Sequence, residues 1–127
     1  KEKEGLRKVI DNGCITCHAG AQLGGNMYQK FGVYKPYWEA TGSKKKDEGK
    51  FEVTSVETDK YFFKVPGLRN IEKTWPYFHD GSVEKLEEAV AIMADVQLNK
   101  QLSEGDVNDI VAFLKTLTGE VPKSALN

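Results

Sequence analysis

Apolar residues recur at helical spacing in three separate stretches of the chain. Near the start, Leu6, Val9 and Ile10 stand at i, i+3 and i+4, which predicts a short helix over residues 4–12. Gly13 follows as a natural terminator. In the second half, Val83, Leu86, Val90 and Met93 repeat at the same spacing, with Glu84, Glu87 and Glu88 towards solvent. Ser82 is a suitable N-cap for that helix. A last stripe of Val107, Ile110, Val111, Leu114 and Leu117 predicts a helix opened by a capping box of Ser103 and Asp106. Gly119 and Pro122 close it.

Between these helices the pattern changes. Residues 19–32 are rich in glycine and read as a loop, with a helical turn around Asn26 to Phe31. Residues 41–60 are polar and without clear period, so they read mostly as loop. Tyr61 to Val65 is apolar and short enough for an extended segment. Pro66, Gly67 and Pro76 break the next region into turns, yet it carries Leu68, Ile71, Trp75, Tyr77 and Phe78. A loop with so many large apolar groups covers something apolar, and a porphyrin face would suit. The pattern predicts an all-α chain of helices and long loops wrapped around a flat cofactor.

Composition adds bounds. At 127 residues the chain fits one domain, residues 1–127, with one core. Hydrophobic residues at 39% and charged residues at 29% are ordinary for a water-soluble domain. No apolar run is long enough to cross a membrane. A net charge of −1 argues against nucleic acid as a partner. The run Lys44, Lys45, Lys46 reads as a solvated loop, with part of a docking surface for an acidic redox partner as the alternative.

The chemistry lies in residues 14–18, Cys-Ile-Thr-Cys-His. Cys14 and Cys17 are too close in sequence to make a useful structural disulfide, because the loop they close is very short. Two thiols at this spacing add across the two vinyl groups of a haem, and His18 then stands under the iron as proximal ligand; this is the pattern of c-type haem attachment. A zinc site would need a second clustered pair, and only His79 remains. A thioredoxin-like reading would need a βαβ context, which the chain lacks. Covalent attachment requires thiol-reducing assembly outside the cytoplasm, so the chemistry points to an exported, periplasmic protein.

Three side chains compete for the other axial position. Met93 is far enough along the chain to return on the opposite haem face, although a methionine on an apolar helix stripe is more often core. Met27 follows the motif closely, which makes that return awkward. His79 lies in the turn-like Phe-His-Asp-Gly, where pairing with Asp80 is the plain alternative to iron ligation. Bis-histidine coordination would lower the potential relative to His/Met. Arg69 suits a haem propionate, as guanidinium and carboxylate pair bidentately, and a surface arginine is its alternative. Trp75 reads as a pocket wall.

Several motifs together resemble the electron-transfer, C-terminal haem half of bacterial dihaem cytochrome c peroxidases. They are Gly13-Cys-Ile-Thr-Cys-His-Ala-Gly, Gly24-Gly-Asn-Met-Tyr-Gln-Lys-Phe-Gly, Phe63-Lys-Val-Pro-Gly-Leu-Arg-Asn and Thr74-Trp-Pro-Tyr-Phe-His-Asp-Gly. Leu86-Glu-Glu-Ala-Val with Met93 and Gln97-Leu98, and Ile110-Val-Ala-Phe-Leu-Lys-Thr-Leu-Thr-Gly, complete them. The resemblance implies a cytochrome c-like fold with one haem c, and His18 and Met93 as axial ligands. It also implies that the carbonyls of Thr74 and Pro76 contribute to a calcium site shared with another haem domain. The chain departs from that family in carrying one haem motif where the family carries two, and the missing half is the peroxidatic one. It therefore reads either as a domain of a dihaem enzyme or as a free-standing single-haem relative.

Three functions follow as expectations. The first is electron transfer with a small cytochrome, a copper protein or a peroxidatic haem domain. The second is peroxide reduction as a component of a dihaem peroxidase. The third is sensing of a small gas through a labile distal ligand.

Overall fold

The computed structural model describes residues 1–126. Five α-helices carry the chain: α1 (Glu2–Asp11), α2 (Tyr37–Thr41), α3 (Phe51–Thr54), α4 (Leu86–Leu98) and α5 (Glu104–Lys115). Two short strands, β1 (Tyr28–Lys30) and β2 (Phe62–Lys64), pair antiparallel with Tyr28 opposite Lys64 and Lys30 opposite Phe62. The expected helical fold with long connections is present; α2, α3 and the pairing of this ribbon are additions to it.

α1 and α5 cross at close range, and Gly5 is the reason. A Cβ built on Gly5 would stand 1.9 Å from the carbonyl oxygen of Asp109 and 2.8 Å from Cβ of Phe113. Only hydrogen at that position lets the two backbones touch. The contact line of α1 therefore runs through Gly5 and Val9, both buried. Leu6 and Ile10, expected to share the inward face with Val9, stay exposed beside that line. The core continues through Tyr77, Val83, Leu86, Ala89, Val107, Ile110, Val111 and Leu114.

α5 follows the sequence reading closely. Ser103 accepts from the backbone N–H of Asp106 at 3.1 Å, and the Asp106 carboxylate accepts from the N–H of Ser103 at 3.3 Å. That capping box satisfies two of the free donors at the helix start. α4 departs from the reading. It begins at Leu86, with Lys85 as N-cap, so Ser82 caps nothing and Val83 lies outside the helix. Val83 instead bridges to Tyr77, whose N–H donates to the Val83 carbonyl at 2.6 Å. The buried positions of α4 are Leu86, Ala89, Ala94 and Val96, while Val90 and Met93 remain partly accessible.

The expected helical turn at Asn26 to Phe31 is an extended segment. Gly25 N–H donates to the Val65 carbonyl, Val65 N–H to that of Met27 and Phe31 N–H to that of Tyr61. The neighbouring segment, correctly read as extended, takes up these backbone groups and leaves none for a helix. Within residues 41–60, mostly loop as expected, α3 adds a single turn.

A charge cluster ties α1 to α5. Lys8 Nζ lies 2.8 Å from Asp106 and 2.6 Å from Asp109. Hydrogen bonds from Lys8 hold both carboxyls below their ordinary value of 3.8, and those carboxylates raise Lys8 above 10.5. The carboxylate share of this stabilisation is complete above the ordinary carboxylate value. It is lost as the pH falls through the depressed ones. The Lys8 share is complete below its ordinary value and is lost as the pH rises through the raised one. Lys8→Met should therefore be less stable than wild type at neutral pH, and the two should converge on acidification. Thermal midpoints followed by circular dichroism across the acid range check this; parallel curves would contradict it.

Candidate haem site

Cys14 opens a single 3₁₀ turn, Cys14–Thr16, directly after α1. Gly13 turns the chain there at φ +90°, a left-handed conformation that suits glycine. The His18 N–H donates to the Cys14 carbonyl at 2.9 Å, so the five motif residues form one compact turn. Both cysteines are free and half-buried. Cys14 packs against the core, and burial pushes its thiol above the ordinary value.

His18 is held with its chemistry pointing one way. Its Nδ1 lies 3.2 Å from the Leu23 carbonyl and 3.2 Å from that of Pro66. Both partners are acceptors, so Nδ1 carries the proton and Nε2 keeps its lone pair. Burial lowers the pKa of the ring, with the two carbonyls opposing, so the neutral imidazole is favoured. A ligating histidine needs this tautomer and this outer-shell anchoring. Gly24 makes it possible: a Cβ there would stand 2.0 Å from the Pro66 carbonyl oxygen. Leu23, Gly24 and Pro66 were not singled out as site residues in the sequence. Gly24 and Pro66 stood there only as loop and turn residues and within the resemblance motifs.

The rivals for the second axial position lie in different settings. Met93 is partly accessible on α4 and is not among the side chains packed on the core cluster, whereas its neighbours Val90 and Ile92 are. It is therefore not the core methionine that its stripe suggested. Met27 is half-buried, and its carbonyl is engaged in the β ribbon. His79 stacks on Phe63 at 4.1 Å between centroids and meets the edges of Tyr37 and Phe31 at 5.1 and 6.1 Å. The expected His79–Asp80 pairing is replaced: Asp80 accepts from the Ser43 hydroxyl and from the Ser82 N–H.

The remaining sequence candidates are spread over the surface. Arg69 is exposed and lines a cleft of about 280 Å³ with Gln22, Leu23 and Leu117. Trp75, read as a pocket wall, is 66% exposed. Thr74 and Pro76 flank it and are also exposed. Among the described residues no three His, Cys, Asp or Glu side chains cluster as a metal site. Of the lysine run, Lys45 reaches Glu52 at 3.9 Å and Lys46 lies over the Trp38 ring at 4.8 Å.

Two thiols in one turn, a neutral imidazole with a free Nε2 and partly buried apolar groups beside Cys14 fit a covalently bound haem. The sequence model for cytochrome c matches residues 3–118. The chain belongs to the cytochrome c family. The cofactor of this cytochrome is accordingly haem c, and its helical architecture is the cytochrome c-like one. The chain is 50% identical over 121 residues to the cytochrome c551 peroxidase of Nitrosomonas europaea, covering 95% of this chain and 35% of that protein. It is 46% identical to the cytochrome c551 peroxidase of Pseudomonas aeruginosa, covering 97% of this chain and 35% of that protein. The crystal structure of a MauG-like protein associated with microbial copper homeostasis superposes with a TM-score of 0.76 at 26% identity. It covers 94% of this chain and 47% of the other. The cytochrome thus spans about a third of the length of the peroxidases it matches, as one haem domain of such an enzyme would. No helix among the described residues is long and apolar enough to cross a membrane.

Proposed function

We propose that this cytochrome is an electron-transfer domain that holds one haem through Cys14 and Cys17, with His18 and Met93 as axial ligands. The observation that carries the reading is the fixed His18 tautomer, combined with a Met93 left off the core and partly accessible. Haem c supplies a one-electron Fe(III)/Fe(II) couple. The chain does the rest. The two thioethers tether the group, and the Leu23 and Pro66 carbonyls orient the His18 ring while making its Nε2 a better donor. The Met93 thioether, neutral and soft, favours the reduced form and raises the potential. Apolar cover of the haem, to which Leu68, Ile71 and Phe78 would contribute from their half-buried places against the core, acts in the same direction. His79 is exposed and stacks one ring face on Phe63, with Tyr37 and Phe31 meeting it edge-on, which favours packing over ligation.

The partner is a redox protein met at a weak, transient interface. Small cytochromes, copper proteins and a peroxidatic haem domain all fit, and the Lys44–Lys46 loop is a surface that an acidic partner would find. The names of the matched relatives favour the last. In that setting the chain would pass electrons to a second haem domain that reduces peroxide. Calcium binding by the Thr74 and Pro76 carbonyls belongs to the same setting, since calcium takes six to eight oxygen ligands. Arg69 is assigned to a propionate, and the periplasm to the cell compartment, where covalent attachment takes place.

Substitution at the three rival ligands tests the assignment. Met93→Ala should lower the midpoint potential by on the order of 100 mV, a modest part of the ~0.8 V range that axial ligands control. Met27→Leu and His79→Ala should leave it near wild type. A large fall with His79→Ala, and none with Met93→Ala, would reassign the ligand. Peroxide turnover with a reduced cytochrome as donor should be near zero for this chain alone.

A further inference from the structure

We propose that Gln97 is a positioning residue for Met93: its single carboxamide fastens the loop at residues 30–35 to the end of α4 and so holds the methionine in place. The inference rests on the reading of Met93 as second axial ligand.

Three successive residues of α4 grip one loop. The Gln97 Oε1 accepts from the N–H of Gly32 at 2.5 Å and of Val33 at 3.3 Å. Its Nε2 donates to the Lys30 carbonyl at 2.9 Å. The Val96 carbonyl accepts from the Tyr34 N–H at 2.9 Å. The Asp95 carboxylate pairs with Lys35. Gln97 alone satisfies three backbone groups, and its chemistry is specific. The site needs an acceptor and a donor on one side-chain tip, which an amide has and a carboxylate lacks.

The gripped loop has little room to adjust. Gly32 turns it at φ +95°, and a Cβ there would stand 2.3 Å from the Lys35 carbonyl oxygen. Phe31, at the centre of the grip, stacks on Tyr37 at 4.9 Å and leans on Phe78 at 5.0 Å. Tyr37 is fully buried, and its hydroxyl donates to the Asp47 carbonyl at 2.9 Å. Burial pushes its pKa up to about 12, so it remains a phenol donor. Fixing the backbone at 30–33 thus fixes a wall of packed rings. Gln97 is one turn beyond Met93 on the same helix face, at i, i+4. α2, which carries Tyr37 in that wall, packs against α4, the helix that presents Met93. Without the carboxamide three backbone groups lose their partner, the loop opens locally, and Met93 is held less firmly.

The test uses the haem-loaded full chain as wild type, Gln97→Leu, Gln97→Glu and Val107→Ala, the last a core change away from the loop. The readouts are the charge-transfer absorption of methionine-bound Fe(III), the rate of imidazole binding to the oxidised protein, and the thermal midpoint. Gln97→Leu should bind imidazole roughly ten-fold faster and lose part of the band, as expected for losing a hydrogen-bonded anchor. Gln97→Glu should fall between, and it carries the test should Gln97→Leu fail to fold. Val107→Ala should lower the midpoint with the wild-type imidazole rate. A wild-type rate in both Gln97 variants, or an equal acceleration in Val107→Ala, overturns the proposal. A wild-type protein without the band would sink the Met93 assignment itself, and the Gln97 role with it, before any variant is compared.

Discussion

Replacing Cys14 and Cys17 together with alanine is expected to free the haem from the chain and to remove most of the helical signal. A ligand that binds only the folded chain stabilises it in proportion to the logarithm of its concentration over its dissociation constant. Tethering makes that concentration an intramolecular one, far above the level of free haem. The double variant loses this advantage. Cys17→Ala alone keeps one tether and should be milder. Extraction with acidified organic solvent reads the outcome. Colour should stay with the wild-type protein and leave the double variant; colour retained by the double variant would mean that attachment lies elsewhere.

Gly5→Ala should be strongly destabilising. The new methyl group would be driven into the Asp109 carbonyl, 1.9 Å away, and into Phe113. Neither neighbour is the loose end of a flexible side chain, so α1 and α5 must move apart along their whole contact. Overpacking of a rigid core costs typically ~1–3 kcal/mol, and a clash with backbone belongs at or above the top of that range. A domain of this size then loses on the order of 10 °C in thermal midpoint. Val9, Lys8 and the capping box of α5 all sit at this crossing, so the loss is cooperative. A calorimetric midpoint within a degree or two of wild type would show that the crossing tolerates separation.

The parts of the fold that were legible in the sequence are those with local causes. The stripe from Val107 to Leu114 and the Ser103–Asp106 box identified α5 because periodicity and capping both act within a few residues. The haem motif was legible for the same reason. The start of α4 was not, because the Val83 backbone is claimed by Tyr77 in a bridge that local pattern does not encode. Residues 26–31 read as a turn because their β partner lies some thirty positions later. At the site, His18 was readable from its place after Cys17, but the carbonyl of Pro66 that fixes its tautomer comes from a distant loop. Gln97 stood in the sequence only as part of a motif of the family resemblance, and only the folded chain brings Gly32, Val33 and Lys30 to it. Leu6 and Ile10 misled in the opposite direction. Their spacing was helical, yet Gly5 decided which face of α1 could approach α5.

The central claim is that this chain carries one haem c with His18 and Met93 on the iron. The visible and far-red absorption spectrum of the oxidised wild-type protein tests it most directly. The account predicts a low-spin spectrum with the weak charge-transfer absorption of a methionine sulfur on Fe(III). A high-spin spectrum, or a low-spin one without that absorption, would contradict it.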